Sequence, residues 1–329
     1  MRTLLDNASK FLRLLGKRRS PYPEEIQIEV TNACNLKCAM CPHTHGLIPQ
    51  VDFPFERFED LIRNNPAPRR LILTGWGEPL LHKRFFDMIA LAHQHWPRTL
   101  VRFTTNGILL DESRRSQIAS SRIAGITVSV DLWPERDSIP PEWREILHPP
   151  SPKTLRNLIA YSEDTRVSRQ TPLVLQSLLV PENVSDIQNY IQFAAERSLQ
   201  AVNLVRMQSY PENPVSRMTW EQEQNTIAEL MRWGKTRGVP VRSVNRQPWV
   251  LRLATHFDRL CLRTDDSLYI TVDGIVTPCC NIRNYAIGST SPSGIDVKAA
   301  WNSDSELAFF ADQSPVCGKC DALFHTYRT

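Results

Sequence analysis

The stretch IQIEVTNACNLKCAMCP, residues 26–42, sets three cysteines one tight loop beyond a short strand. IQIEVT (Ile26 to Thr31) reads as a β-strand, and CNLKCAMC then spaces Cys34, Cys38 and Cys41 as C-x3-C-x2-C. Three thiolates on one loop suit an iron–sulfur cluster better than a structural zinc, which takes four ligands in paired knuckles. A four-iron cluster held by three cysteines leaves one iron open to a further ligand.

Beyond this loop, strands and helices alternate. RLILTG (Arg70 to Gly75), LVRFTTN (Leu100 to Asn106), GITVSVD (Gly125 to Asp131), PLVLQSLLV (Pro172 to Val180) and AVNLVRM (Ala201 to Met207) read as further strands. Helical stretches run between them, among them Phe85 to His95, Asp111 to Ser120 and Val184 to Ser198. Short apolar strands alternating with helices predict an α/β fold with a parallel sheet and helices outside. Six such units, over about residues 22–210, predict a partial (β/α)6 TIM-type barrel with its chemistry at the C-terminal strand ends. A helix from about Thr219 to Thr236 and a strand around Val239 to Val244 lead into a cysteine-rich tail of lower expected helix content. The division that follows is an amphipathic helix over 1–20, a barrel over 21–250 and a small metal-stapled domain over 251–329.

Composition bounds the function. The 329 residues allow about two domains. With 41% hydrophobic and 22% charged residues, the chain can build a core. The net charge of +4 is too weak to argue for nucleic acid, and no basic block interleaved with aromatics stands out. No apolar run reaches the ~18 residues of a membrane span, and the N-terminus lacks a signal-peptide pattern. Eight cysteines in such a chain point to reduced thiolates on metal in a cytoplasmic protein rather than to disulfides. They fall in two groups, Cys34 to Cys41 and Cys261 to Cys320, which suggests two metal sites.

The cysteine loop after the first strand, followed by GWGEP (Gly75 to Pro79) after the second, resembles the radical S-adenosylmethionine superfamily. The resemblance implies that Cys34, Cys38 and Cys41 hold a [4Fe–4S] cluster whose open iron chelates S-adenosylmethionine. Met40 stands where many members have an aromatic residue, and Trp76 replaces a glycine of the family motif. Gly75 and Gly77 would let the backbone approach the ligand, and Glu78 would accept a hydrogen bond from its ammonium. Asn106, Ser129 and Asp131, at strand ends, occupy places where the resemblance puts ribose and carboxylate contacts; Asn and Asp there are also ordinary turn formers. His43 and His45 read as loop residues rather than ligands.

In the tail, Cys261 is followed by twelve residues, Gly274, four residues and Cys279, and later by Cys317-x2-Cys320. This resembles the Twitch type of auxiliary-cluster domain, the shortened relative of the SPASM domain. Asp273-Gly274 would turn a hairpin between LYITV and IVTPC. The resemblance assigns Cys261, Cys279, Cys317 and Cys320 as ligands of a second [4Fe–4S] cluster, with Cys280 left over. Four thiolates suit zinc equally well.

The layout is similar to that of the 2-deoxy-scyllo-inosamine dehydrogenases. It implies an external one-electron reductant of flavodoxin or ferredoxin type, a 5′-deoxyadenosyl radical, and a substrate radical whose electron passes to the auxiliary cluster. Dehydrogenation of a small molecule is the favoured expectation. Peptide modification is the nearest alternative, although the residues before the first strand are too few for the leader-binding domain many such enzymes carry. A nucleic-acid-modifying enzyme is the third reading. Arg206, at the sixth strand's end, suits either a substrate anion or a structural ion pair.

Overall fold

The computed structural model describes residues 20–38, 41, 50–134, 151–206, 218–243, 261, 264–283, 285–288, 294–313 and 317. The expected helix over 1–20, His43, His45 and Cys320 lie outside them, apart from Ser20.

Strands β1 (Glu25–Ile28), β2 (Arg70–Leu73), β3 (Leu100–Thr105), β4 (Ile123–Ser129), β5 (Leu173–Leu179) and β6 (Ala201–Arg206) pair in sequence order, every neighbour parallel. Helices cover the apolar face. They include α1 (Phe55–Asn64), α2 (Phe85–His95), α3 (Glu112–Ala119), α4 (Pro152–Glu163), α5 (Thr165–Ser168), α6 (Val184–Glu196) and α7 (Trp220–Thr236). Their starts follow local chemistry. Asp111 caps α3 through the Arg114 N–H, Ser151 caps α4 ahead of Pro152, and Thr219 and Gln222 form a reciprocal capping box on α7. Ile26, Ile28, Leu71, Leu73, Val101 and Phe103 are buried against the helices, while the alternate residues of the same strands face the barrel interior.

The sheet is longer than the six expected strands. Its order is β7-β6-β5-β4-β3-β2-β1-β8-β9. β7 (Val241–Ser243) adds beside β6, and β8 (Ser267–Ile270) adds in parallel beside β1, Ile28 level with Ile270. β9 (Val276–Thr277) returns antiparallel to β8. The hairpin turn falls at Asp273-Gly274 as expected, with Gly274 at φ +88° and the Thr271 hydroxyl accepting from the Ile275 N–H.

The tail also holds more helix than its composition suggested: α8 (Val297–Trp301) and α9 (Asp304–Ala311) are capped by Asp296 and Ser303. It is fastened to the start of the barrel. The Asn65 side chain donates to Ile295 O and accepts from Val297 N, and the fully buried Trp301 donates to Ser20 O. The cysteine-bearing segment thus continues the barrel's own sheet.

Candidate active site

The site gathers at the C-terminal ends of β1 to β5, where parallel strands leave their unpaired ends. β1 runs on through the buried Glu29 and Thr31 into the cysteine loop. Thr31 donates to Asp52 at 2.6 Å and accepts from Ala33 N, fixing the loop's first turn. Cys41 N donates to Cys38 O at 2.8 Å, which closes the C-x2-C turn.

All three thiols are half-buried and feel one another. Burial pushes Cys34 up, with Glu78 and Cys41 adding to it. Burial, then Asp131, Cys41 and Cys34, push Cys38 up to about 12. Burial and neighbouring negative charge disfavour the thiolates of Cys34 and Cys38, and a bound iron cluster would supply the compensating positive charge. The donor set therefore fits the group. Among the described residues, no three His, Cys, Asp or Glu side chains converge on a single-ion site.

Glu78 lies beside this loop, 2% exposed. Its Oε1 accepts from Thr105 Oγ1 at 2.8 Å and Leu80 N at 3.2 Å, and its Oε2 accepts from Asn106 N at 2.8 Å. Burial raises its pKa to about 7 in spite of these bonds. A cation beside it, such as a ligand ammonium, would reverse that shift.

Asn106 reaches the other way. Its amide donates to Asn35 Oδ1 at 2.7 Å and accepts from Ile108 N at 3.0 Å. Its side chain is thus a strut between β3 and the cysteine loop, and its Oδ1 closes a turn on Ile108. Ser129 closes β4. Asp131, two residues on and 3% exposed, accepts from Leu178 N at 2.8 Å on β5, and its charge adds to the upward push on Cys38.

The two motif glycines each lie hard against protein atoms. A Cβ on Gly77 would enter the carbonyl oxygens of Thr31 and Ala33, and one on Gly75 would enter the Glu29 side chain. Absence of a side chain lets GWGEP lie flush on the exit of β1, where Glu78 N donates to Ala33 O at 2.8 Å.

Several participants carried no sequence signal of their own: Asn35, Thr105, Glu29, Arg283 and Gln313. Glu29, fully buried, accepts from Trp76 N at 3.0 Å and Val272 N at 2.9 Å. Arg283 Nη1 donates to its two oxygens at 2.7 and 2.6 Å, and the same guanidinium lies 4.9 Å over the Trp76 ring. Gln313, 1% exposed, accepts from Cys261 N at 2.6 Å, donates to Thr264 Oγ1 at 2.7 Å, and through its carbonyl accepts from Cys317 N at 2.7 Å. Cys261 and Cys317 are thereby tied together.

Cys279 and Cys280 follow β9, which stops at Thr277, because Pro278 has no N–H to continue the ladder. Both cysteines lie beyond it, and both line a polar cavity of about 380 Å³ with Glu25, Arg70 and Tyr269. Strand alternation does not distinguish them. Arg206 pairs with the buried Glu223 at 3.1 Å, which is the structural ion pair of the two expectations.

The superfamily described as radical SAM matches residues 28–194, about half the chain, and an iron–sulfur cluster-binding domain matches residues 261–321. The chain belongs to the radical SAM superfamily. It is a radical SAM enzyme with a C-terminal SPASM domain; S-adenosylmethionine and iron–sulfur clusters are the cofactors these domains imply, and such enzymes need a reductant.

Among curated proteins it is 21% identical over 180 residues to the tungsten-containing aldehyde ferredoxin oxidoreductase cofactor-modifying protein of Pyrococcus furiosus, covering 54% of this chain and 49% of that one. It is 36% identical over 118 residues to the GTP 3′,8-cyclase of Heliobacterium modesticaldum, covering 34% and 35%. The chain thus spans half or less of the length of these relatives.

Among solved structures, Streptococcus suis SuiB bound to S-adenosylmethionine superposes with a TM-score of 0.71 at 14% identity, covering 97% of this chain and 76% of that one. The anSMEcpe structure with bound AdoMet and the Cp18Cys peptide gives 0.64 at 15% identity, covering 90% and 86%. These likenesses establish the fold. Among the described residues, no helix is long and apolar enough to cross a membrane.

Proposed function

We propose that this enzyme is a radical S-adenosylmethionine oxidoreductase that dehydrogenates a small polar molecule, working in the cytoplasm with a flavodoxin- or ferredoxin-type reductant. Cys34, Cys38 and Cys41 would hold the first [4Fe–4S] cluster, and Cys261, Cys279, Cys317 and Cys320 a second. When bound, the first cluster would supply the electron that cleaves S-adenosylmethionine, and the second would be the acceptor for the electron left on the substrate. Glu78 would orient the ligand ammonium, and the ends of β3 and β4 at Asn106, Ser129 and Asp131 would frame the rest of that ligand. The closed network of Glu78, Thr105, Asn106 and Asn35 would keep this wall rigid, so that the radical meets one substrate position.

The observation that carries the small-molecule reading is a polar row across the sheet. Ser129, Gln176, Asn203 and Arg242 are successive partners on β4, β5, β6 and β7. They share one face of the sheet, with Asp131 two residues beyond Ser129. Amides, a hydroxyl and a guanidinium in register suit a hydroxylated substrate. Peptide modification is the second reading, favoured by the likeness to SuiB, a solved form of which is bound to its precursor peptide SuiA.

The test is anaerobic reconstitution, reduction with dithionite, and incubation with cyclic polyols and aminocyclitols beside a peptide panel. The expected result is one oxidised product per 5′-deoxyadenosine. Modified peptides with unreacted polyols would favour the second reading.

A further inference from the structure

We propose that Arg283 is a positioning residue for the S-adenosylmethionine site, setting the GWGEP loop through Glu29 and Trp76 so that binding at the barrel mouth depends on the cysteine-bearing segment. The proposal rests on the reading of the Glu78 loop as that site.

Glu29 is a carboxylate with no exposure, at the point where β1 turns into the cysteine loop. A buried carboxylate is stable only when its charge is met and its lone pairs are filled. Both needs are served by groups from separate parts of the chain. Trp76 N comes from the motif loop, Val272 N from the β8–β9 hairpin, and the guanidinium from Arg283, three residues after Cys280. Asn32, from the start of the cysteine loop, has its side-chain amide against the same carboxylate, at 3.1 and 2.7 Å once its nitrogen is assigned to that side.

Neutralising Glu29 would need only a cation. Arg283 does more, because its guanidinium carbon also lies 4.9 Å from the centroid of the Trp76 ring. Trp76 sits between the two motif glycines, one residue before Gly77 and two before Glu78. Its backbone N–H is held by Glu29 and its ring by Arg283, so both ends of the residue are set by one ion pair. The Trp76 carbonyl in turn lies 4.0 Å from Cys41 Sγ. A shift of Arg283 would therefore move the loop that presents Glu78 and flanks the third thiol.

The test measures binding rather than turnover. S-adenosylmethionine affinity is read by equilibrium dialysis on reconstituted protein, together with the change in the reduced-cluster EPR signal on adding it. Arg283→Lys keeps the charge on Glu29 but not the guanidinium over the Trp76 ring, and should weaken binding while iron content and thermal midpoint stay at wild-type values. Arg283→Met strands a buried charge; if it fails to fold, Glu29→Gln/Arg283→Met removes that charge and carries the same test. Loss of the cation over the Trp76 ring should lower affinity about tenfold in the double variant, with a smaller EPR shift.

A double variant with wild-type affinity and an unchanged EPR shift would overturn the proposal, leaving Arg283 as a counter-ion only. Wild-type protein that forms its cluster but binds no S-adenosylmethionine would overturn the site reading instead, and the proposal with it.

Discussion

The side-chain amide of Asn106 donates to Oδ1 of Asn35 at 2.7 Å, joining the end of β3 to the residue that follows Cys34. The bond spans 71 residues, and Asn106 N donates to Glu78 on the other side. One residue therefore sets the distance between the cysteine loop and the buried carboxylate. Asn106→Ala removes the strut and leaves Ile108 N without its acceptor. A loss of about 1–3 kcal/mol is expected in chemical denaturation. S-adenosylmethionine affinity should fall with it, and Asn35→Ala should reproduce the affinity loss. Wild-type affinity in both variants would show that the strut does not shape the ligand site.

Glu78 makes stability depend on pH in the direction opposite to most carboxylates. Its folded pKa of about 7 stands above the ordinary 4.5, because burial disfavours the charged form. The folded state therefore binds the proton more tightly than the unfolded one. The stability this contributes is full below about pH 4.5 and is lost as pH rises through 7, up to about 3 kcal/mol in all. Ligand binding runs the other way, since an ammonium needs the carboxylate ionised; affinity should rise with pH until it levels above about 7. Glu78→Gln should flatten both profiles. Denaturation curves without ligand and binding titrations, each between pH 5.5 and 8, check the two signs; parallel profiles in wild type and variant would take Glu78 out of the site.

The local parts of this architecture were legible because each has its own short-range signal. Phe85 to His95 matches the observed helix end to end, and the Asp273-Gly274 turn falls where turn chemistry puts it. Cys34 to Cys41 were readable through their spacing, and GWGEP through its resemblance to the family motif. What sequence reasoning missed is contact across long separations. Nothing in SLYI announces that it pairs in parallel with EIQI, some 240 residues earlier, because a buried parallel strand looks alike wherever it pairs. Glu29 and Arg283, 254 residues apart, are single charges among many until the hairpin brings them together. The Ser303-x-x-Glu306 cap of α9 was a usable signal that the reading of the tail passed over. The motif glycines were recognised for the freedom they give the backbone, but the close protein neighbours that require it, Glu29 for Gly75 and Thr31 and Ala33 for Gly77, were not.

That last point is testable. Gly77→Ala would drive a methyl into the carbonyls of Thr31 and Ala33, which are backbone and cannot swing aside. A destabilisation of at least about 2 kcal/mol is expected, with poor cluster retention even in the absence of S-adenosylmethionine. Were Gly77 needed only for ligand approach, the alanine variant would keep wild-type stability and iron content and lose affinity alone.

Gln313 offers a cleaner handle on the tail. Its amide holds Cys261 N and Thr264 Oγ1 in a site with almost no water, so Gln313→Ala strands a donor and an acceptor. The cost should be about 2 kcal/mol or more. Because Cys317 N is held by the Gln313 carbonyl, which alanine retains, the loss should fall on the placement of Cys261. Iron analysis and a thermal melt check it: a stable variant with undiminished iron would mean that Cys261 is not placed through Gln313.

The choice between Cys279 and Cys280 can be argued from their hydrogen bonds, strand alternation being inapplicable past Pro278. The Asn281 N–H donates to Cys279 Sγ at 3.5 Å, whereas Cys280 Sγ donates to Asn281 Oδ1 at 3.5 Å. A sulfur that accepts a backbone N–H is suited to be a thiolate on iron, where such bonds tune the cluster; a sulfur that donates is behaving as a thiol. Two [4Fe–4S] clusters, about eight irons per chain, are expected in the reconstituted protein. Cys280→Ala should keep them all. Cys279→Ala should lose about four, with the Mössbauer spectrum of the remaining iron still responding to S-adenosylmethionine. Iron loss confined to the Cys280 variant would reverse the assignment, and zinc in the anaerobically purified wild type would remove the electron acceptor on which dehydrogenation depends.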